Sequence, residues 1–224
     1  MNIIRRNELH RGGFAGLRET RLVMNPSVFG RHRAPGTSAG IGRFVYLADA
    51  RFLPHGDTRM HSHQDVDVIS FMVEGRVRHE GSLESGRELL TGHVQVQRSG
   101  AQGFSHNEIN PDDSKNRMLQ LWLLPEESEE DASYQLLEIA GNGRTRIYGG
   151  TEDEPDTVTA RTVVDIVTLD AGETVEQPGI SLAYVVTGAG TGLGQTLREG
   201  DLAESLDFNF HASTESTLIL VYGI

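Results

Sequence analysis

The sequence predicts an all-β protein, on three observations. Apolar residues fall in short alternating runs, glycine occupies 26 of 224 positions, and stretches with a helical period are few. The first predicted strand, 42–47, is carried by the aromatic and branched Phe44, Val45 and Tyr46; 65–73 opens with alternating Asp and Val and then turns apolar but for Ser70. The runs 76–80 and 94–98 alternate strictly, as Arg-Val-Arg and Val-Gln-Val-Gln, and 117–124 ends in Leu-Trp-Leu-Leu. In the second half the same character returns at 145–148, 160–169, 182–186 and 216–222. The connections between them are rich in Gly, Ser, Asp and Asn, the residues of tight turns.

Two β domains in tandem are the reading this pattern supports. Val73-Glu74-Gly75 and Val186-Thr187-Gly188 each end an apolar run at a glycine turn, and the segments starting at Leu90 and Leu197 form a second parallel between the halves. The boundary falls at an acidic run that starts at Pro125, after a strongly apolar strand. The expected division is a first domain at 1–124, an acidic linker at 125–134 and a second domain at 135–224. A short helix is expected over 134–140.

Charge is placed unevenly. The formal net charge is -12, yet residues 1–124 carry 16 basic and 13 acidic groups, a net +3, while residues 125–224 carry 4 and 19, a net -15. An acidic total argues against nucleic acid and anionic membrane as direct partners, since both are bound through positive charge. The first half suits a small acidic ligand. The absence of cysteine excludes disulfides, thiolate metal sites and cysteine nucleophiles, so a metal must sit on histidine and carboxylate. No stretch approaches about 20 apolar residues, and the start lacks the pattern of a secretion signal, so a cytoplasmic protein is expected.

Nine histidines occur, and three of them fall with a glutamate into two doublets, His61-Ser62-His63 and His106-Asn107-Glu108. Side chains at i and i+2 of a strand share a face, so each doublet offers two ligands to one side of a sheet. If the two strands are neighbours, three imidazoles and a carboxylate converge, a set that suits Fe(II), Mn(II), Ni(II), Cu(II) or Zn(II). The rival reading is a set of ordinary strand histidines. His79 is expected to face outward or anchor a turn, and His211 to be structural. His55 is a candidate for the pocket mouth, and Asp67 a candidate acceptor behind a ligating imidazole. Asp65 and Asp67 share the parity of His61 and His63, so a bend is needed if they are to leave that face.

The stretch from Met60 to His79, with Gly92-His93-Val94-Gln95 and the run from Ser99 to Glu108, resembles the signature of the pirin family within the cupin superfamily. The resemblance implies a bicupin, two tandem jelly-roll β-barrels with few short helices, with one metal in the N-terminal barrel and none in the other. It places the metal ligands on His61, His63, His106 and Glu108. Iron is the metal it implies first, with Mn, Ni, Cu or Zn as alternatives. Ser62, Gln64, His93 and Asn107 stand where the family commonly has proline, arginine, aspartate and a small residue; none of them is a ligand.

The activity implied is that of a flavonol 2,3-dioxygenase, or quercetinase, acting on a small aromatic and anionic substrate with dioxygen. Glu108, as the ionisable ligand, is the candidate catalytic base for the flavonol 3-hydroxyl. Phe71, Val73, Val94, Val96, Phe104 and Trp122 are candidates to line the substrate cavity or to be ordinary core. The alternatives are a non-catalytic, metal- or redox-sensing module with a protein partner, and a cupin enzyme with a non-flavonol substrate.

Overall fold

The computed structural model describes residues 1–126, 131–139, 141–153 and 157–224, and its regular structure is almost all strand. In the first half these are β1 (Asn2–Arg5), β2 (Arg11–Phe14), β3 (Leu17–Met24), β4 (Phe44–Phe52), β5 (His61–His63), β6 (Asp67–Glu74), β7 (Arg76–Gly81), β8 (Arg87–Leu90), β9 (His93–Arg98), β10 (Phe104–Ile109) and β11 (Arg117–Leu123). They are followed by β12 (Ser133–Glu138), β13 (Gly143–Gly150), β14 (Ala160–Leu169), β15 (Thr174–Thr187), β16 (Ala189–Gly192), β17 (Gln195–Arg198), β18 (Asp201–Ala212) and β19 (Ser216–Gly223). The helix α1 (Pro26–Phe29) is a single turn, started by Pro26 and capped by the Asn25 side chain, which accepts from the Ser27 amide at 2.9 Å. No helix among the described residues is long and apolar enough to cross a membrane.

Three sheets result, each with free ends, so the barrels are open rather than hydrogen-bonded rings. The first runs β12-β9-β6-β11-β4-β3-β2, the second β5-β10-β7-β8, and the third β13-β14-β19-β15-β18-β16-β17 with β1 paired to β18. The expected strands are all present, with β4 running on to Phe52 and β6 starting at Asp67.

The central strands of the seven-stranded sheet, β9, β6, β11 and β4, are buried on both faces, which explains why β4 and β6 read as nearly continuous apolar runs. On one face Leu47, Ile69, Phe71, Val94, Val96, Leu119 and Leu121 pack into a core shared with Val164, Ile166, Leu182, Tyr184 and Ile219 of the second half. Each such side chain contributes about 1.5–3 kcal/mol on burial. On the opposite face, Met72, Ala50 and Met118 meet Val77 and Leu89 of the four-stranded sheet and close the inner end of the first domain. Phe71, Val94 and Val96 therefore belong to the interdomain core, with Val73 packed against it, and of the cavity candidates they drop out.

Two buried carboxylates join the halves. Asp49 accepts from Arg117, from Arg51 at 2.8 Å, from Arg6, and from the Tyr184 hydroxyl at 2.6 Å. Asp67 accepts from the Ser99 amide at 3.0 Å and the Tyr148 hydroxyl at 2.8 Å. Asp67 thus faces the interdomain core and holds no imidazole, which corrects the role expected for it. The reason is Asp65, whose φ of +56° turns the chain from the four-stranded sheet at β5 to the seven-stranded sheet at β6 and resets the alternation.

The helix expected over 134–140 is instead strand β12, antiparallel to β9 with Tyr134 opposite Gln97. Ser133–Glu138 thus extends the sheet of the half expected to end at residue 124, and Asn2–Arg5 extends the sheet of the half expected to begin at 135. Residues 127–130 of the acidic connector, and residue 140, lie outside the described residues.

Removing a tyrosine hydroxyl from these junctions leaves a buried carboxylate one donor short. Tyr184→Phe and Tyr148→Phe are each expected to lower stability by about 1.5–3 kcal/mol in urea unfolding, and an unchanged midpoint would deny the junction its role. Burial opposes ionisation of Asp49, but its hydrogen bonds and charge contacts with Arg117, then Arg6, prevail and hold the carboxyl down at about 2, below its ordinary 3.8. Because the folded value is the depressed one, its contribution is full above about pH 4 and is lost as the pH falls toward 2. Asp49→Asn should flatten the acid limb of a stability-versus-pH curve in that window.

Candidate metal centre

β5 and β10 are antiparallel neighbours, with His61 opposite His106 and His63 opposite Phe104. Period-two alternation then sends His61, His63, His106 and Glu108 into the space between the two sheets of the first domain. The ligand atoms of His61, His63 and His106 lie within 4.8 Å of one another, the one such group of three or more among the described residues. His106 Nε2 is 3.1 Å from His61 Nε2 and 3.1 Å from His63 Nε2.

The hydrogen bonds behind the rings decide what those nitrogens offer. His61 Nδ1 meets the Arg59 carbonyl at 2.9 Å and His106 Nδ1 meets the Gln97 side-chain oxygen at 2.8 Å. Both partners are acceptors, so both Nδ1 atoms carry the proton and both Nε2 atoms present a bare lone pair. Two lone pairs facing each other at 3.1 Å repel unless a cation sits against them. Nitrogens bound at about 2.1 Å and at right angles around one ion would stand about 3.0 Å apart, so the donor set fits a transition metal.

Burial, and then the neighbouring rings His63, His61 and His79, pushes His106 down to about 2; burial, and then His61, pushes His63 down to about 4. Both therefore stay neutral at ordinary pH, the state in which imidazole binds metal. Glu108 is fully buried on the same face as His106, but its carboxylate stands outside the group of three nitrogens. It accepts from the Ser70 hydroxyl at 2.7 Å and from the Gln120 amide at 3.2 Å. Burial pushes it up to about 7, against the opposing pull of the Ser70 hydrogen bond.

A pocket of about 570 Å³ reaches His61 and His63 of the triad, lined on its apolar side by Phe14, Val28, Phe29, Tyr46 and Trp122 and on its polar side by Glu19, Arg21 and Gln120. Tyr46 and Trp122 stack at 4.4 Å between centroids, and Phe29 of α1 lies parallel to both. Trp122 meets the His63 ring edge-on at 5.4 Å. Of the cavity candidates, Trp122 lines this pocket and Phe104 packs behind it on His63 and His106.

His79, expected to face outward or anchor a turn, is fully buried opposite Glu108, with its ring 5.7 Å from that of His106. Neither of its ring nitrogens has a partner among the described residues, nor do the Tyr134 hydroxyl, Gln95 Oε1 and Gln97 Nε2. The inner end of the domain behind Glu108 is thus polar. His55, expected at the mouth, is exposed and pairs with Asp113 at 2.7 Å. His211 is exposed and meets Thr174. The residues that sequence reasoning missed are Ser70, Gln97 and Gln120; the strict Val-Gln-Val-Gln alternation of β9, amides on one buried face and valines on the other, was the available signal.

Residues 30–123 match the pirin family model. A Zymomonas mobilis protein provisionally assigned as a quercetin 2,3-dioxygenase is 29% identical over 186 residues, covering 77% of this chain and 79% of that one. The quercetin 2,3-dioxygenase of Escherichia coli K12 is 29% identical over 76 residues; the match spans 34% of this chain and 32% of that relative. Among solved structures, the bacterial pirin YhhW of Escherichia coli in complex with nickel(II) superposes with a TM-score of 0.84 at 20% identity, over 98% of this chain and 97% of the other. A quercetin 2,3-dioxygenase of Acinetobacter baumannii gives 0.75 at 20% identity, over 100% and 85%. At these identities the structural likeness speaks for the bicupin fold.

Gln97 fixes the tautomer of His106, and its removal should weaken the metal without unfolding the domain. Gln97→Leu is expected to lower divalent-metal affinity by about 10- to 100-fold in a competition titration against a chelator. Wild-type affinity in that variant would remove the orienting role.

Proposed function

We propose that this chain, which resembles the pirin-like cupins over residues 30–123, is a metal-dependent dioxygenase, with iron as the metal, that opens the heterocycle of a flavonol such as quercetin. The observation that carries this reading is the position of the triad, whose nitrogens converge and of which His61 and His63 line an aromatic-walled pocket. Relatives named for the same reaction support it. His61, His63 and His106 are the residues assigned to hold the metal, with Glu108 as the fourth ligand. Bound there, a divalent transition metal supplies a Lewis acid for the substrate enolate and a redox partner for dioxygen.

The remaining work falls to side chains. The Phe29–Tyr46–Trp122 wall presents flat apolar surface to a flat aromatic substrate and excludes water from its rings. Glu108, raised to about 7, is matched to taking the 3-hydroxyl proton onto a carboxylate oxygen near neutral pH. Ser70 and Gln120 orient that carboxylate, and Gln120 also reaches the pocket wall, so it links the proton acceptor to the bound substrate.

Reconstitution under anaerobic conditions with Fe(II), Mn(II), Ni(II) or Cu(II), followed by measurement of quercetin loss and oxygen uptake, tests the reading. Stoichiometric metal binding and oxygen-coupled turnover are expected. His63→Ala should lose metal and turnover together, and Glu108→Gln should cut turnover by about 10²- to 10⁴-fold. A fully metallated protein that consumes no oxygen on a panel of flavonols would overturn the assignment of substrate, and failure to bind any of the four metals would overturn the metal centre.

A further inference from the structure

The face of the seven-stranded sheet opposite the metal pocket carries, at its β2 edge, a feature that the metal chemistry does not use. Arg18 of β3 stands directly across from Arg51 of β4, and on the other side of Arg18 the register partner is Gly13 of β2. Like charges in directly opposed positions of a sheet destabilise it. Arg51 is relieved by Asp49 at 2.8 Å, whereas Arg18 reaches only the Leu17 carbonyl, at 2.9 Å. Arg11 and Lys115 lie beside them, and among the described residues neither has an ion pair.

These side chains line one groove of about 690 Å³, formed by Arg11, Gly12, Gly13, Arg18, Arg51, Leu53 and Lys115. It contains four cations and no carboxylate. It adjoins a second cleft of about 330 Å³ that shares Arg11, Arg18 and Arg51 and adds Arg6, and whose one carboxylate, Asp49, already accepts from Arg6, Arg51, Arg117 and Tyr184. Arg11, Arg18 and Lys115 have no carboxylate partner among the described residues, and in a chain with a net charge of -12 this local excess of positive charge is a cost to the folded state that a bound anion would remove. Gly13 helps to keep the groove open: a Cβ there would come within 2.2 Å of the Leu17 carbonyl oxygen, and its φ of +144° disfavours any side chain.

We propose that this groove is a binding site for a phosphate dianion, either free or as the terminal group of a small phosphate monoester. Paired arginine forks from adjacent strands match the oxygens of a tetrahedral oxyanion, and Lys115 adds a point charge from the side. Glu19 and Arg21, which alternate with Arg18 and Thr20 along β3, line the metal pocket, so one strand has one site on each face.

Calorimetric titration with inorganic phosphate and, separately, with glycerol 3-phosphate, at constant ionic strength, distinguishes the two sources. Saturable binding of one dianion per chain is expected, tighter for the monoester if the groove serves a larger molecule. Arg18→Gln should raise the Kd at least about tenfold, and Arg18→Gln with Lys115→Gln should abolish binding. Without phosphate, Arg18→Gln is expected to melt no lower than the parent, because it removes a like-charge contact, while losing the rise in melting temperature that phosphate gives the parent. Heats that vanish when ionic strength is held constant, or equal binding by parent and double variant, would overturn the proposal.

Discussion

A sheet whose central strands are buried on both faces is the constraint from which the rest of the structure follows. Each of these strands must satisfy two environments at once, and strict period-two alternation is the means. Along β6, Asp67, Ile69 and Phe71 go to the interdomain side and Val68, Ser70 and Met72 to the inner side. β11 does the same, with Leu119, Leu121 and Leu123 in the interdomain core and Met118, Gln120 and Trp122 facing inward. The inner side then reads, from mouth to base, as aromatic, polar and apolar. The polar band of Ser70, Gln95, Gln97 and Gln120 is the level at which the histidines of the facing sheet project.

The same alternation makes stability and the site inseparable. A slip of one residue in β6 would send Asp67 toward the histidines and Ser70 into the interdomain core. Asp67 and Asp49 guard against this, because each finds its donors on one side of the sheet alone: Tyr148 and Ser99 for one, Tyr184 and Arg117 for the other. Buried carboxylates with several well-placed donors tolerate no alternative register, since elsewhere they would be left unpaired. The second half therefore serves the metal centre without contributing a ligand to its histidine group: its tyrosines fix the sheet that carries Ser70 and Gln120.

How much of this was legible in the sequence follows from the range of each interaction. The fold class and the convergence of His61, His63 and His106 were legible, because i, i+2 spacing on a strand is a local property and β5 and β10 proved to be neighbours. The turn at Asp65 was foreseen only as a necessity, since a positive φ in an Asp leaves no distinct mark on the alternation around it. His79 was misplaced because its burial depends on pairing with β10 and on contact with Tyr134, a residue some fifty positions away in a strand expected to be helix. The 134–140 segment itself is short, and its membership in the first sheet is decided by β9 rather than by its own residues.

The two roles proposed for Glu108 pull its acidity in opposite directions. As a metal ligand it would be held ionised, since a nearby cation favours the charged form. As a base near neutral pH it needs the raised value that burial gives it, about 7. The hydrogen bonds in the structure bear on this conflict. Ser70 occupies one carboxylate oxygen and Gln120 the other, and with both in place the carboxylate stands apart from the three imidazole nitrogens. In this position burial and the Ser70 hydrogen bond, rather than direct contact with the triad nitrogens, set its acidity. Turning toward the triad would exchange the two neutral donors for a cation and lower its basicity. Under the proposed function Ser70 and Gln120 would set the balance between the two roles of Glu108, and their placement on the sheet pinned by Tyr148 and Tyr184 ties their positions to the junction between the two halves.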